Sequence, residues 1–169
     1  MVKPLSLTGL ELLLNERFEE GFLSLRDLPH PSSFKDMDRA TERIVSAIKN
    51  KEKITIIGDY DVDGVTSTTL MKLFFDEIDY PIEWIIPNRF RDGYGLSANI
   101  VPRILGTDLA ITVDNGISAV HAAKLCKEEG IDLIITDHHL LAPEVPDAYA
   151  IIDQKQESCT FPYNDVCGA

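Results

Sequence analysis

The feature that most constrains this 169-residue chain is a repeated succession: a short apolar run that stops abruptly at a polar, mostly acidic cluster. Ile54-Thr55-Ile56-Ile57 runs into Gly58-Asp59, Ile82 to Ile86 into Pro87-Asn88, and Leu109 to Val113 into Asp114-Asn115-Gly116. Leu133 to Thr136 runs into Asp137-His138-His139, and Tyr149 to Ile152 is a weaker fifth run. Runs of about four to six residues rich in Ile and Val predict strands covered on both faces. Between them lie segments of helical period. After Gly64, the residues Leu70, Leu73, Phe74 and Ile78 share one face, and Thr66 or Ser67 can cap the start. Ser118 can cap a helix carrying Ala119, Ala122, Ala123 and Cys126, which should stop near Gly130. Before the first strand, Asp36 can cap a helix with the stripe Met37, Ala40, Ile44 and Ala47 or Ile48. Strands alternating with helices imply crossover units, hence an α/β fold: a doubly wound, mostly parallel sheet with helices on both faces. Residues 1–35 fit this alternation less well. A short apolar helix around Leu10 to Phe18 and the connection Leu28-Pro29-His30-Pro31 read as an arm packing on a single domain, 36–169.

Composition limits the function classes. The balance of 16 basic against 28 acidic side chains gives a formal charge of −12, with 44% hydrophobic residues. With a mean hydropathy of −0.03 the chain falls in the globular range, outside the disordered and fibrous classes. No run approaches the ~20 apolar residues of a membrane helix, and no signal segment opens the chain, so a cytoplasmic protein with no membrane partner is expected. Such acidity argues against a broad basic surface for duplex DNA. Cys126, Cys159 and Cys167 form no CxxC pair, so reduced thiols are expected.

In open α/β sheets, ligands bind beyond the carboxyl ends of the strands, near the point where strand order reverses. The acidic clusters occupy those ends: Asp59, Asp61 and Asp63 after the first strand, Asp114 after the third, and Asp137, His138 and His139 after the fourth. Five carboxylates brought to one edge repel one another in a low dielectric, and no Lys or Arg lies inside the clusters to balance them. Divalent cations would. Carboxylate with imidazole suits Mn²⁺ or Mg²⁺, whereas structural zinc favours Cys or more His. Two ions about 3.5–4 Å apart, bridged by a carboxylate, would activate water and clamp a phosphoryl group.

The same residues carry a resemblance. GDYDVDG (58 to 64), VDNG (113 to 116) and TDHH (136 to 139), in this order, resemble the first three motifs of the DHH phosphoesterase family. IPNRFRDGYGLS (86 to 97) and DMDRATERI (36 to 44) are similar to segments of its RecJ-type branch, the single-stranded-DNA-specific 5′→3′ exonucleases of repair and recombination. The resemblance implies Asp61, Asp63, Asp114 and His138 as metal ligands, with Asp114 as the bridge and Asp59 as a ligand or its support. It further implies His139 as the catalytic residue facing the phosphate, with Asp137 supporting the histidines. Arg89, Arg91 and Tyr94 become candidates for binding substrate. Two Mn²⁺ or Mg²⁺ ions are implied for the complete enzyme, single-stranded DNA as substrate, and single-strand binding protein and a RecQ-type helicase as partners. The family has a fourth acidic ligand well beyond the DHH motif, then a separate substrate-binding domain. FPYNDVCGA (161 to 169) looks like the start of the segment leading there, so the domain is expected to be incomplete at its C-terminus and this fragment to have little or no activity alone.

Other readings stay open. A family member acting on oligoribonucleotides or cyclic dinucleotides, and a non-catalytic DHH-like binding module, share the three motifs. Asp61-Val62-Asp63-Gly64-Val65 also fits the nucleophile motif of haloacid-dehalogenase phosphatases, but that class gives no reason for Asp137-His138-His139.

Overall fold

The computed structural model describes residues 28–169, together with Ser6, Thr8, Gly9 and Leu12. Its contacts divide the chain into two units, Met1–His30 and Pro31–Ala169. Of the expected helix over residues 10–18, Leu12 is described and is helical, and the rest lies outside the described residues. Residues 31–35, expected in the arm, belong to the second unit. There Pro31–Ser33 form a 3-10 turn, the Thr160 hydroxyl donates to the Ser33 carbonyl at 2.8 Å, and Phe34 stacks on Phe161 at 3.8 Å. All three cysteines are free, and burial pushes the Cys126 thiol up to about 11.

The second unit is built on a five-stranded sheet, β1 (Ile54–Ile57), β2 (Glu83–Ile85), β3 (Leu109–Val113), β4 (Asp132–Thr136) and β5 (Ala150–Ile152), in the order β2-β1-β3-β4-β5. Every neighbouring pair is parallel. The order reverses between β1 and β3, the switch point at which such sheets bind ligands. Successive strand residues point to opposite faces, which yields two cores. Ile54, Ile56, Leu109, Ile111 and Ile134 pack with Ala40, Ala47 and Phe75 on one face. Ile57, Ala110, Leu133 and Ile135 pack with Ile100, Ile104, Ala122, Ala123 and Cys126 on the other. β1 and β3 are buried throughout, as their composition predicts. β2 departs from the expectation of full burial: Glu83 and Trp84 are exposed, because β2 is an edge strand.

Helices α1 (Met37–Asn50) and α2 (Val62–Glu77) contribute to the first core, and α3 (Val120–Glu128) to the second. The β2–β3 crossover holds a 3-10 turn, Val101–Arg103. The capping expectations also need correction. The Asp36 carboxylate makes no capping bond and instead accepts from Ile151 N–H at 3.3 Å. Ser118 caps nothing, since α3 starts after Ala119 without a side-chain cap. α2 starts earlier than Thr66 or Ser67 allows: Asp61 is its cap, accepting from Gly64 N–H at 2.9 Å.

The largest correction concerns which side of α2 faces the sheet. Leu70, Leu73, Phe74 and Ile78 are 54%, 59%, 54% and 44% exposed, and the buried residues are Gly64, Ser67, Thr68 and Phe75. Close packing explains the inversion. A Cβ on Gly64 would lie 2.6 Å from the Asp59 backbone, and one on Gly58 would lie 2.0 Å from the Thr68 hydroxyl. Small groups let the first turns of α2 press onto the end of β1, so the bulky apolar stripe turns outward.

The neighbouring phenylalanines distinguish the two orientations. Phe75→Ala should cost about 3–5 kcal/mol in urea unfolding, and Phe74→Ala less than about 1 kcal/mol. The opposite ranking would restore the face that periodicity predicts.

Candidate metal centre

Three strand ends deliver the site. Beyond β1 the chain turns through Asp59 into Asp61, whose role as α2 cap fixes its carboxylate at the helix N-terminus. Beyond β3, Asp114 adopts φ 63°, a left-handed conformation uncommon outside Gly and Asn. Its neighbour Asn115 clamps the turn: the amide donates to the Ile57 and Val113 carbonyls and its oxygen accepts from Leu96 N–H, each at 2.9 Å. Beyond β4, the Asp137 carboxylate is fully used. It accepts from Ile117 N–H at 2.8 Å, His138 N–H at 2.7 Å and His139 N–H at 3.2 Å, and lies 2.6 Å from His139 Nδ1.

Asp59, Asp61 and Asp114 present oxygens within 4.8 Å of one another, and Asp114, His138 and His139 form a second such group sharing Asp114. Both Asp114 oxygens and Asp59 Oδ1 are buried without a hydrogen-bond partner. His138 explains part of this. Its Nδ1 lies 2.8 Å from the Val166 carbonyl, which can only accept, so Nδ1 donates to it and Nε2 is the nitrogen turned to the cluster. Nε2 lies 3.2 Å from Asp114 Oδ1. When Nε2 carries no proton, it and the carboxylate oxygen are two acceptors that a single cation between them would satisfy. The donor set is carboxylate with imidazole, and none of the free thiols is among it, which suits a hard divalent ion. Asp63 stands at the rim, outside both groups, with one oxygen accepting from Gly168 N–H at 3.0 Å.

The model of the DHH family, N-terminal domain, matches residues 53–169. The chain belongs to the DHH family. It is similar to the single-stranded-DNA-specific exonuclease RecJ of Bacillus subtilis, 46% identical over 144 residues, covering 84% of this chain and 18% of that protein. It is likewise similar to the RecJ of Escherichia coli, 38% identical over 135 residues, covering 78% of this chain and 23% of that protein. The chain therefore spans about a fifth to a quarter of the curated relatives it matches. A crystal structure of the exonuclease RecJ bound to manganese superposes with TM-score 0.68 at 30% identity, covering 78% of this chain and 33% of that one.

The DHH sequence of the name is Asp137-His138-His139, and the electrostatics separate the roles of its members. Burial, then the charge of Asp61, pushes the Asp114 carboxyl up to about 6. Burial likewise raises Asp59, reinforced by Asp61. For His139, burial alone would lower the imidazole, but the hydrogen bond and charge of Asp137, with Asp114, raise it above its ordinary value. Nδ1 of His139 is turned to Asp137, and Nε2 lies 3.5 Å from the Tyr94 hydroxyl, which is itself 3.4 Å from the Asp114 carbonyl.

Tyr94 is thus brought to the site. Arg89 lies beside it with its guanidinium 5.5 Å from the Tyr60 ring centroid, and the Tyr60 and Tyr94 rings meet edge to face. Arg91 is oriented otherwise: it pairs with buried Asp92 at 2.8 Å, as does Arg103. The Arg91 hydrogen bond and the Asn88 N–H hold Asp92 well below the usual carboxylate range. Asp92, unassigned by the sequence reading although it lies inside the 86–97 segment, therefore fixes the loop that carries Arg89 and Tyr94. Lys155 was also missed. Its ammonium donates to the His138 carbonyl, a contact made across 17 residues that no local motif signals. Asp147 pairs with Lys127 instead of joining the cluster, and Asp153 ends β5 buried, raised by its burial.

A carboxyl raised in the folded state is favoured in its protonated form, so the metal-free protein should lose stability as pH climbs from about 4 through 6. Asp114→Asn keeps the left-handed turn and removes the charge. In EDTA at pH 7.5 it should be more stable than wild type by on the order of 2 kcal/mol, with the gain vanishing near pH 4, read by thermal or urea unfolding.

Proposed function

We propose that this chain carries the metal-binding part of a single-stranded-DNA-specific 5′→3′ exonuclease that hydrolyses phosphodiesters with Mn²⁺ or Mg²⁺. The observation that carries the reading is Asp114, with both oxygens buried and without a hydrogen-bond donor, 3.2 Å from His138 Nε2. Support comes from the RecJ exonucleases among its relatives and from the manganese named for the solved one. Asp59, Asp61, Asp114 and His138 would hold the cation, with Asp63 adding an oxygen from the rim. A divalent ion in such a site polarises a phosphoryl oxygen and lowers the pKa of water.

The chain's own residues would do the rest. His139, held by Asp137 and raised toward its protonated form, directs Nε2 beside the Tyr94 hydroxyl, where it can donate to a phosphoryl oxygen gaining charge. Tyr94, pushed up by burial and the surrounding carboxylates, stays protonated and can donate as well. Arg89, lying over Tyr60, can grip the backbone phosphate. Phe90, 97% exposed at the tip of the same loop, offers a ring on which an unpaired base can stack. Arg91 keeps a largely exposed guanidinium beyond Asp92 and can add charge at the rim.

Calorimetry on the metal-stripped chain should show Mn²⁺ binding that Asp114→Ala abolishes, and no binding would sink the assignment. In the complete gene product, 5′-phosphorylated single strands should be degraded in preference to duplexes. Asp114→Ala should lower that rate by at least about a thousandfold. Equal cleavage of single strands and duplexes would overturn the proposed specificity.

A further inference from the structure

Residues 166–168 reach the cluster through backbone hydrogen bonds. The Val166 carbonyl accepts from His138 Nδ1 at 2.8 Å, and Gly168 N–H donates to one Asp63 oxygen at 3.0 Å. The Gly168 carbonyl lies 2.7 Å from the Ser67 hydroxyl, which also lies 2.6 Å from the Asp63 carbonyl. Gly168 comes so close to the site that a Cβ there would stand 1.8 Å from Asp114 Oδ1 and 2.4 Å from its carboxyl carbon. No hydrogen bond accounts for the approach to Asp114, whose oxygens stay unpartnered.

These contacts have one common effect. A histidine ligand binds a metal through a nitrogen that carries no proton, so the group holding its other nitrogen decides which atom is available. The Val166 carbonyl selects Nε2. An Asp side chain at a helix start has several staggered rotamers open to it, and the Gly168 N–H removes that freedom for Asp63 by holding one oxygen. Both devices are neutral, so neither cancels the negative charge that draws a cation in. The absence of a side chain at 168 keeps the space beside Asp114 open.

We propose that residues 166–168 are a positioning strap for the cation site: Val166 fixes the His138 tautomer, Gly168 orients Asp63, and position 168 must lack a side chain for Asp114 to keep its place. The proposal rests on the metal reading above and adds to it a segment over a hundred residues from the first ligands. Ser67 anchors the strap from the buried side of α2, which gives that small polar residue a purpose the helical period did not suggest.

The test uses Gly168→Ala and the milder Ser67→Ala, with Asp114→Ala as the ligand control. Gly106→Asn serves as a glycine control, since a Cβ there meets nothing within 4 Å and Asn is among the side chains that tolerate its φ of 82°. Mn²⁺ affinity by calorimetry should fall about 10–100-fold in Gly168→Ala, fall in the same direction in Ser67→Ala, and be unchanged in Gly106→Asn. Long-range ¹H–¹⁵N spectra of the metal-free wild type should show His138 protonated at Nδ1, and Gly168→Ala should lose that preference. This readout is one that general destabilisation of a folded chain would not move. A wild-type His138 protonated at Nε2 and not at Nδ1 overturns the strap. So does wild-type affinity in Gly168→Ala, provided Asp114→Ala has lost binding. A wild type that binds no Mn²⁺ overturns the metal reading, and the strap's purpose with it.

Discussion

A buried carboxylate with neither oxygen hydrogen-bonded is costly to keep, and the architecture around Asp114 makes sense as a means of keeping it there. Asp114 ends a strand buried on both faces, in a left-handed conformation, with Asp61 adding repulsion from the start of α2. Nothing local rewards that arrangement. It persists because Asn115 ties the turn to the β1 and β3 carbonyls and to the 96–97 loop, three bonds no competing conformation of the turn would satisfy together. Strain and charge collected at one strand end point to a ligand that neutralises them.

The sheet could be anticipated from the sequence because each strand is a dense apolar run ended by a polar cluster, and burial on both faces leaves such a run few alternatives. β1 and β3 are found where composition places them. Helix orientation was not legible in the same way. The stripe Leu70, Leu73, Phe74 and Ile78 is genuine in the sequence, yet α2 turns it outward, because the closeness of Gly58, Gly64 and Thr68 decides which side meets the sheet. Periodicity reports that a helix has an apolar side. It does not report how near its backbone must come to a strand.

The site divides along a similar line. That Asp59, Asp61, Asp114, His138 and His139 come together was readable because each lies shortly after a strand, and parallel strands bring their ends to one edge. Asp92, Lys155 and Gly168 were not, because each acts on a residue far away in sequence or organises a loop from within. The Arg91 side chain illustrates the difference: its charge was evident, while its pairing with Asp92 depends on how residues 88–97 fold around that carboxylate.

The neutral character of the groups that hold the cluster has a kinetic meaning. Asp63 is held by a backbone N–H, His138 by a carbonyl, and Asp137, besides His139, by three backbone amides, so the pocket around Asp59, Asp61 and Asp114 remains an anionic well. A phosphodiester approaching it bare meets like charge at close range, in a setting of reduced dielectric. Under the proposed function the sequence of arrivals is thereby compulsory: the cation enters first and reverses the sign of the pocket, and the nucleic acid follows.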